Sequence, residues 1–418
     1  MSVETPLSRN RDFQLLWTGQ LVSTFGGWLS AVAMPLLILD VTGSPFIAGL
    51  ARFAATLPLL VFFLLAGVAA DRYDRRKTMI ATEATRLVVI GSVALAVVSG
   101  AVFVPHLIGA VFVMGACATF FNIAEVASIP RLVPAAQRQQ ALAQNGVRFY
   151  TGLIVGQTAA GVLYAVGRAV PFAVDTVSYV ASLVSVVLIR TPLQEASAVA
   201  RRAPVREGLT WLWANDLLRT TVLLAAGNNF VVNSLYLVVI VLAQQVLHAS
   251  SAEIGVMLAG IGVSGVLGSI AAPRLARRLT FRQVMVLPYA LKAVLIPVLL
   301  LLPSAYTVGV VFGAMFFVDA TGGSVVGARQ MSLIPDKLQG RVNAAMQLVS
   351  LGSVPVGALV AGASFEALGP APTVLALAGL MLATTIASIA SRTIASASSP
   401  EPPAPPQAPS QAAPLPPY

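Results

Sequence analysis

Apolar runs of about twenty residues or more recur along the chain, parted by short polar breaks. The first covers about Phe13–Leu39 and the second Phe46–Ala70. About Thr78–Val102, Pro105–Ile129, Ala141–Val166 and Val170–Ile189 follow. After a longer polar stretch come about Thr220–Val246, Ala252–Ala272, Gln283–Leu302, Tyr306–Gly327, Val342–Leu368 and Pro372–Ala390. A helix needs roughly 20 apolar residues to cross hydrocarbon. The pattern therefore predicts an all-α membrane protein of twelve transmembrane helices, numbered here as spans 1 to 12. Ser44 is placed to cap span 2, with Pro45 at its first position.

Composition leaves no room for a large soluble domain. Of 418 residues, 57% are hydrophobic and 10% charged, and the mean hydropathy is +0.84. The net charge of +10 does not point to nucleic acid, because the cations sit in short breaks between apolar runs. Breaks 2–3, 4–5, 6–7, 8–9 and 10–11 hold nearly all of them, whereas the odd-numbered breaks hold essentially Arg168. Cytoplasmic loops are enriched in Lys and Arg, so both termini are expected inside, in a multi-pass protein of the plasma (inner) membrane. No small-residue cleavage site follows the polar start, so span 1 is expected to be retained.

The domain boundaries follow. Residues 1–189 are expected to form a six-helix half, 190–219 a cytoplasmic linker, 220–395 a second half, and 396–418 a disordered Pro-rich tail that cannot bury a core. Within the linker, Arg206–Asn215 has helical spacing with Trp211 and Trp213, which suits an interfacial helix. The halves repeat. Ser269–Arg278 aligns with Gly67–Arg76 at an offset of 202 residues, with Pro273 replacing Asp71. Leu132-Val133-Pro134 aligns with Leu333-Ile334-Pro335 at 201, which also matches Gly156 and Gly161 to Gly357 and Gly362.

The break after span 2 reads Gly67-Val-Ala-Ala-Asp71-Arg72-Tyr-Asp-Arg75-Arg76-Lys77. It holds four cations and two acids and must lie in water between two spans. This stretch resembles the loop 2–3 signature of the major facilitator superfamily. Arg11-Asp12-Phe13, Leu39 to Pro45, Glu207-Gly208-Leu209 and Gly340-Arg341-Val342 are similar to stretches of its third drug–proton antiporter branch, which includes macrolide and enterobactin exporters. The resemblance implies two pseudo-symmetric halves and a mid-membrane site lined by spans 1, 4, 7 and 10. It also implies a gating loop of Gly67, Asp71, Arg72, Arg75, Arg76 and Lys77. In that loop Gly67 would allow close helix approach, and Asp71 would face the N-terminus of span 11 near Arg341. Span 5 carries Gly152, Gly156 and Gly161, but Gln157 where exporters of this superfamily usually have Pro.

Ionisable residues inside spans mark functional sites by default. Glu83 and Arg86 are spaced as an i,i+3 pair, and Glu125 and Arg148 lie at similar depth. Arg52 and Asp175 lie near the outer face, where they can snorkel. Asp319 and Lys292 are deeper, so Asp319 is the first candidate for proton coupling and Glu125 the second. Candidate cavity residues are Gln20, Trp28, Asn122, Asn228, Asn229, Asn233 and Tyr236, with interhelical hydrogen bonding as the alternative role for the amides.

The chain has no P-loop and no Ser/His/Asp or metal-ligand constellation, and its histidines are His106 and His248 alone. An enzyme, a cofactor and a metal site are therefore not expected. The expected function is proton-coupled efflux of drug-like or siderophore-like molecules by alternating access, by a monomer whose partners are substrate, protons and lipid. Proton-coupled import, or a non-transporting sensor or scaffold on the same fold, are the alternatives.

Overall fold

The computed structural model describes residues 6–194, 205–335 and 338–396. The middle of the linker and all of the tail after Ser396 lie outside the described residues. Among those described, twelve helices are long and apolar enough to cross a membrane. Spans 1 to 6 are Arg11–Thr42, Pro45–Arg72, Arg75–Val98, Val104–Leu132, Ala135–Val166 and Val170–Leu188. Spans 7 to 12 are Asp216–Val246, Ser251–Leu275, Phe281–Leu301, Ala305–Leu333, Gln339–Leu368 and Pro370–Ala390.

Several helices outrun their apolar stretch because polar residues cap them beyond it. Ser44 accepts from Ile47 N, as the sequence predicts. Asp74 accepts from Lys77 N and so starts span 3 at Arg75, a turn before its apolar run. Span 11 is broken between Leu351 and Val354, where Gly352, Ser353 and Pro355 interrupt the helical ladder. The last turn of span 7, Leu242–Val246, is π-helical.

Spans 1 and 6 show how small residues bring helices together without a hydrophobic drive. Gly19, Ser23, Gly26 and Ser30 on span 1 face Ser185, Ser182, Ser178 and Asp175 on span 6. All eight are buried. A Cβ on Gly19 would lie 1.9 Å from Ser185 Oγ.

The repeat read from the sequence reappears as matched packing. Gly156 abuts the Phe25 carbonyl of span 1, and its counterpart Gly357 abuts the Phe230 carbonyl of span 7. Gly161 lies against Ser251 and Gly255 of span 8, and its counterpart Gly362 against Pro45 and Gly49 of span 2. The halves thus meet along two equivalent crossings, span 5 on span 8 and span 11 on span 2. A Cβ on Gly161 would lie 2.0 Å from the Ser251 carbonyl oxygen, so only glycine fits.

The linker helix, Val205–Ala214, departs from expectation. Its apolar face does not lie free for a membrane surface. Leu212 is buried, and Leu209 and Trp211 pack with Leu218, Val222, Ile334, Val342 and Ala345. Trp213 faces outward.

Candidate functional site

A cavity of about 560 Å3 lies between the halves. It runs from Arg52 and Tyr236 toward the cation-rich side of the molecule, where Thr221 and Gln330 border it. Its wall is largely apolar and aromatic, with Trp28, Phe149, Tyr150, Tyr236, Tyr289 and Phe316. Trp28 meets Phe149 edge-on at 5.9 Å between centroids, and Phe149 meets Tyr150 at 5.6 Å. Polar groups are few and fixed. Asn229 Nδ2 donates to the Ser350 carbonyl at 2.9 Å, beside the break in span 11, and Asn233 Nδ2 to the Asn229 carbonyl at 2.9 Å. Gln157 donates to the Tyr236 hydroxyl at 3.1 Å across the two halves. The Arg52 guanidinium lies 4.8 Å from the Tyr236 ring centroid.

The charged groups of the cavity are Arg52 and one ion pair. Lys292 on span 9 is wholly buried and its Nζ donates to both Asp319 of span 10 and Asn228 of span 7. Asp319 borders the cavity. A buried ammonium needs such compensation, since desolvating an unpaired charge is prohibitive.

Of the candidate cavity residues, the structure brings Trp28, Asn228, Asn229, Asn233 and Tyr236 around this space. It does not bring Gln20 or Asn122 there. Gln20 is turned behind span 1 and donates to Ser182 at 2.8 Å. Asn122 is exposed and apart from the cavity wall. Glu125 is also away from it, clasped by Arg148 through two hydrogen bonds of 2.5 and 3.2 Å. Glu83 and Arg86 pair at 3.1 Å as their spacing suggests. Arg52 and Asp175 do not snorkel: Arg52 borders the cavity, and Asp175 is wholly buried. The cavity residues that sequence reasoning missed include Phe149, Tyr150 and Tyr289. The adjacent aromatics at 149–150, one residue after Arg148, were a signal.

The basic loop is held by its cations. Arg75 donates from Nε to the Ala70 carbonyl at 3.0 Å, and from Nη1 to those of Ala127 and Leu193 at 2.6 and 3.2 Å. Arg76 reaches the carbonyls of Val186 and Val187. These are the C-terminal turns of spans 2, 4 and 6 and the segment after span 6. Free carbonyls and the helix dipole favour cations there. Arg72 and Lys77 extend from the same loop. Gly67 differs from expectation, because nothing lies within 4 Å of where its Cβ would be. Asp71 is exposed, and its carbonyl accepts from Gln194. Arg341 pairs instead with Glu207 of the linker helix, and Gly208 lies against the Arg341 carbonyl.

On the opposite side the halves are fastened together. Asp40, near the end of span 1, accepts from Tyr164 Oη at 2.8 Å and Gln244 Nε2 at 2.7 Å, and pairs with Arg168 at 3.2 Å. Gln245 donates to the Gly43 carbonyl at 3.0 Å. Both glutamines lie in the π-helical turn of span 7. Glu366 of span 11 accepts from the Ser44 hydroxyl and from Phe46 N at 3.0 Å, at the start of span 2. Gly43, at φ 65°, makes the left-handed turn between spans 1 and 2 that presents Ser44.

Comparison with known proteins agrees with this architecture. A family model described as transmembrane secretion effector matches residues 1–413. The chain is 25% identical over 387 residues to the multidrug efflux pump Tap of Mycolicibacterium fortuitum, covering 88% of this chain and 92% of the pump. It is 26% identical over 182 residues to macrolide efflux protein A of Streptococcus pyogenes, covering 43% of this chain and 45% of that protein. Among solved structures, it shares its fold with a bacterial homolog of the human lysosomal transporter Spinster, captured inward-facing and unoccupied. The TM-score is 0.73 at 15% identity, over 95% of this chain and 99% of that one. The chain belongs to the transmembrane secretion effector family of the major facilitator superfamily of membrane transporters.

Proposed function

We propose that this protein exports bulky amphipathic organic molecules across the plasma membrane in exchange for protons. The observation that carries this reading is the cavity between the halves. It is about 560 Å3, largely aromatic and apolar, with a few anchored amides, Arg52 and one ion pair. Such a wall suits large molecules with apolar bulk and few polar groups. A sugar or a phosphate ester would call for more hydrogen-bonding groups or for paired arginines. The named activities of the two efflux relatives point the same way.

The cation-rich side faces the cytoplasm, by the Lys/Arg bias of its loops, and both termini lie there. The two halves rock about the central cavity so that it faces each side in turn. The described arrangement, fastened at Asp40 and Glu366 on the far side, is the one that loads from the cytoplasm. The basic loop is the gate of that cytoplasmic side. Asp319 is the proton carrier facing the cavity, because Lys292 and a substrate cation can compete for its carboxylate.

The test is flux of tetraphenylphosphonium and erythromycin in proteoliposomes carrying the purified protein, with and without an imposed pH gradient. Uphill movement that follows the gradient is expected, and Asp319→Asn should abolish it while binding persists. Flux indifferent to the gradient would end the proton-exchange reading. Loss in Glu125→Gln with Asp319→Asn intact would move the proton role to Glu125.

A further inference from the structure

Four carboxyls lie deep within the spans, and three have a cation. Glu83 pairs with Arg86, Glu125 with Arg148 and Asp319 with Lys292. Asp175 has none among the described residues. Its Oδ2 accepts from the Ser30 hydroxyl of span 1. Its Oδ1 lies 3.2 Å from Ser178 Oγ, but that hydroxyl donates more closely to the Asp175 carbonyl, at 2.7 Å. One hydroxyl is thus the firm partner of a wholly buried acid.

Asp175 borders a second cavity. It measures about 260 Å3 and lies inside the N-terminal half, walled by spans 1, 2, 3, 4 and 6. Ser30, Arg52, Arg86 and Tyr179 border it too. Arg52 is shared with the central cavity, so it stands between the two spaces. The groups facing Asp175 are known from every side. Span 2 supplies Arg52, and span 3 supplies Glu83 and Arg86, already paired with each other. The Arg86 guanidinium lies 5.2 Å from the Tyr179 ring centroid of span 6. Span 4 carries the buried Cys117 and brings no charged group to this cavity among the described residues. Span 1 offers only the hydroxyl, at a place where Gly26 lets it come close: a Cβ there would lie 2.5 Å from Asp175 Oδ1.

We propose that Asp175, with Ser30, is a second proton-binding site of this transporter, reached through the inner cavity past Arg52. Ser30 can partner the carboxyl in either form. The ionised group accepts from Ser30, and the protonated group donates to the same oxygen as the hydroxyl turns. The proton exchanges with water in the cavity, toward which the Ser30 hydroxyl turns when it accepts from the protonated group. Span 1 separates this site from the central one. Trp28 on that span faces the central cavity, and Asp40 near its end fastens the far side. A charge gained or lost at Asp175 therefore acts on a helix that touches both substrate space and far-side closure. The inference rests on the proton-exchange reading and adds a site to it.

The test separates proton binding from transport. The purified protein, reconstituted in lipid, is followed by infrared difference spectroscopy between acidic and alkaline buffer. A carboxylic-acid carbonyl band should titrate in the wild type, vanish in Asp175→Asn and persist in Asp319→Asn. Ser30→Ala should shift that band without removing it, which keeps the proposal testable if Asp175→Asn does not fold. A band unchanged in Asp175→Asn, or unmoved in Ser30→Ala, would overturn the assignment. In parallel, Asp175→Asn should lose gradient-driven tetraphenylphosphonium flux while keeping gradient-free exchange. Gradient-driven flux with an unaffected band would sink the Asp175 site alone. Flux indifferent to the gradient, with the band still lost in Asp175→Asn, would sink proton exchange and leave Asp175 as a buried acid that binds a proton.

Discussion

At the scale of single residues, the ionisable groups sort by what faces them, and depth along a helix does not reveal that. Glu125 and Arg148 meet through both carboxylate oxygens and are nearly shut off from solvent. Removing one partner of such a pair leaves a buried charge and costs about 3–5 kcal/mol, whereas replacing both by apolar groups of similar volume is close to neutral. Glu125→Leu and Arg148→Met alone should each lower the melting temperature of the detergent-purified protein sharply. The double variant should recover most of the loss and retain flux, and a double variant no more stable than the singles would show that the pair has another role. Asp175 teaches the same lesson in reverse. It lies two turns or less from the end of span 6, and by depth alone it reads as a group able to reach water. Its face decides otherwise, because Asp175, Ser178, Ser182 and Ser185 form one polar stripe at helical spacing, set against the small-residue stripe of span 1. That stripe is visible in the sequence, but only when the residues are taken together.

At the scale of elements, the conspicuous loop is an anchor within one half, and gating is the role proposed for it beside that. Its flanking spans and its cations follow from the sequence, since apolar runs and polar breaks mark both, whereas the Asp74 cap comes from the structure. What its residues touch depends on the ends of spans far away in the chain. Arg75 and Arg76 close carbonyls of spans 2, 4 and 6, an anchor within one half. The four stretches that carried the family resemblance turn out to be contact points as well. Asp12 accepts from the backbone of Arg190 and Thr191, Asp40 holds the far side, and Glu207-Gly208 docks on Arg341. Asp74 is a helix cap, so Asp74→Asn should change little because Asn caps as well as Asp. Asp74→Ala should destabilise span 3 by about 0.5–2 kcal/mol. Asp71 has an exposed carboxylate here, so the proposed gating contact is one that would form in the arrangement closed on the basic side. Asp71→Asn should therefore impair erythromycin flux far more than Asp74→Asn while leaving the melting temperature unchanged. Equal flux in the two variants would reduce the loop to its anchoring role.

At the scale of the whole molecule, the repeat explains why the closed side closes as it does. Gly161 and Gly362, paired in the sequence alignment of the halves, each admit a facing helix backbone on the same side. These crossings bring Asp40 within reach of Gln244 and Glu366 within reach of the start of span 2. The cross-half partners themselves were not legible in the sequence, because the π-helical turn that aims Gln244 and Gln245 is not set by hydropathy. The fastening groups are partly exposed, so each contact is worth about 1 kcal/mol or less. Together they are comparable with the roughly 1.4 kcal/mol that changes a two-state ratio tenfold. Asp40→Asn combined with Glu366→Gln should therefore shift the protein toward the arrangement open on the far side. Cys117 is the single cysteine, so a Cys117→Ser background allows spin labels at Val41 and Leu368 across the far side, and at Tyr73 and Ser332 across the basic side. In the double variant the far-side distance should lengthen and the basic-side distance shorten, as two ends of one rocking motion. A far-side distance that lengthens while the basic side stays fixed would mean that the clasp only ties down loops, and that closure is governed by the glycine crossings beneath it.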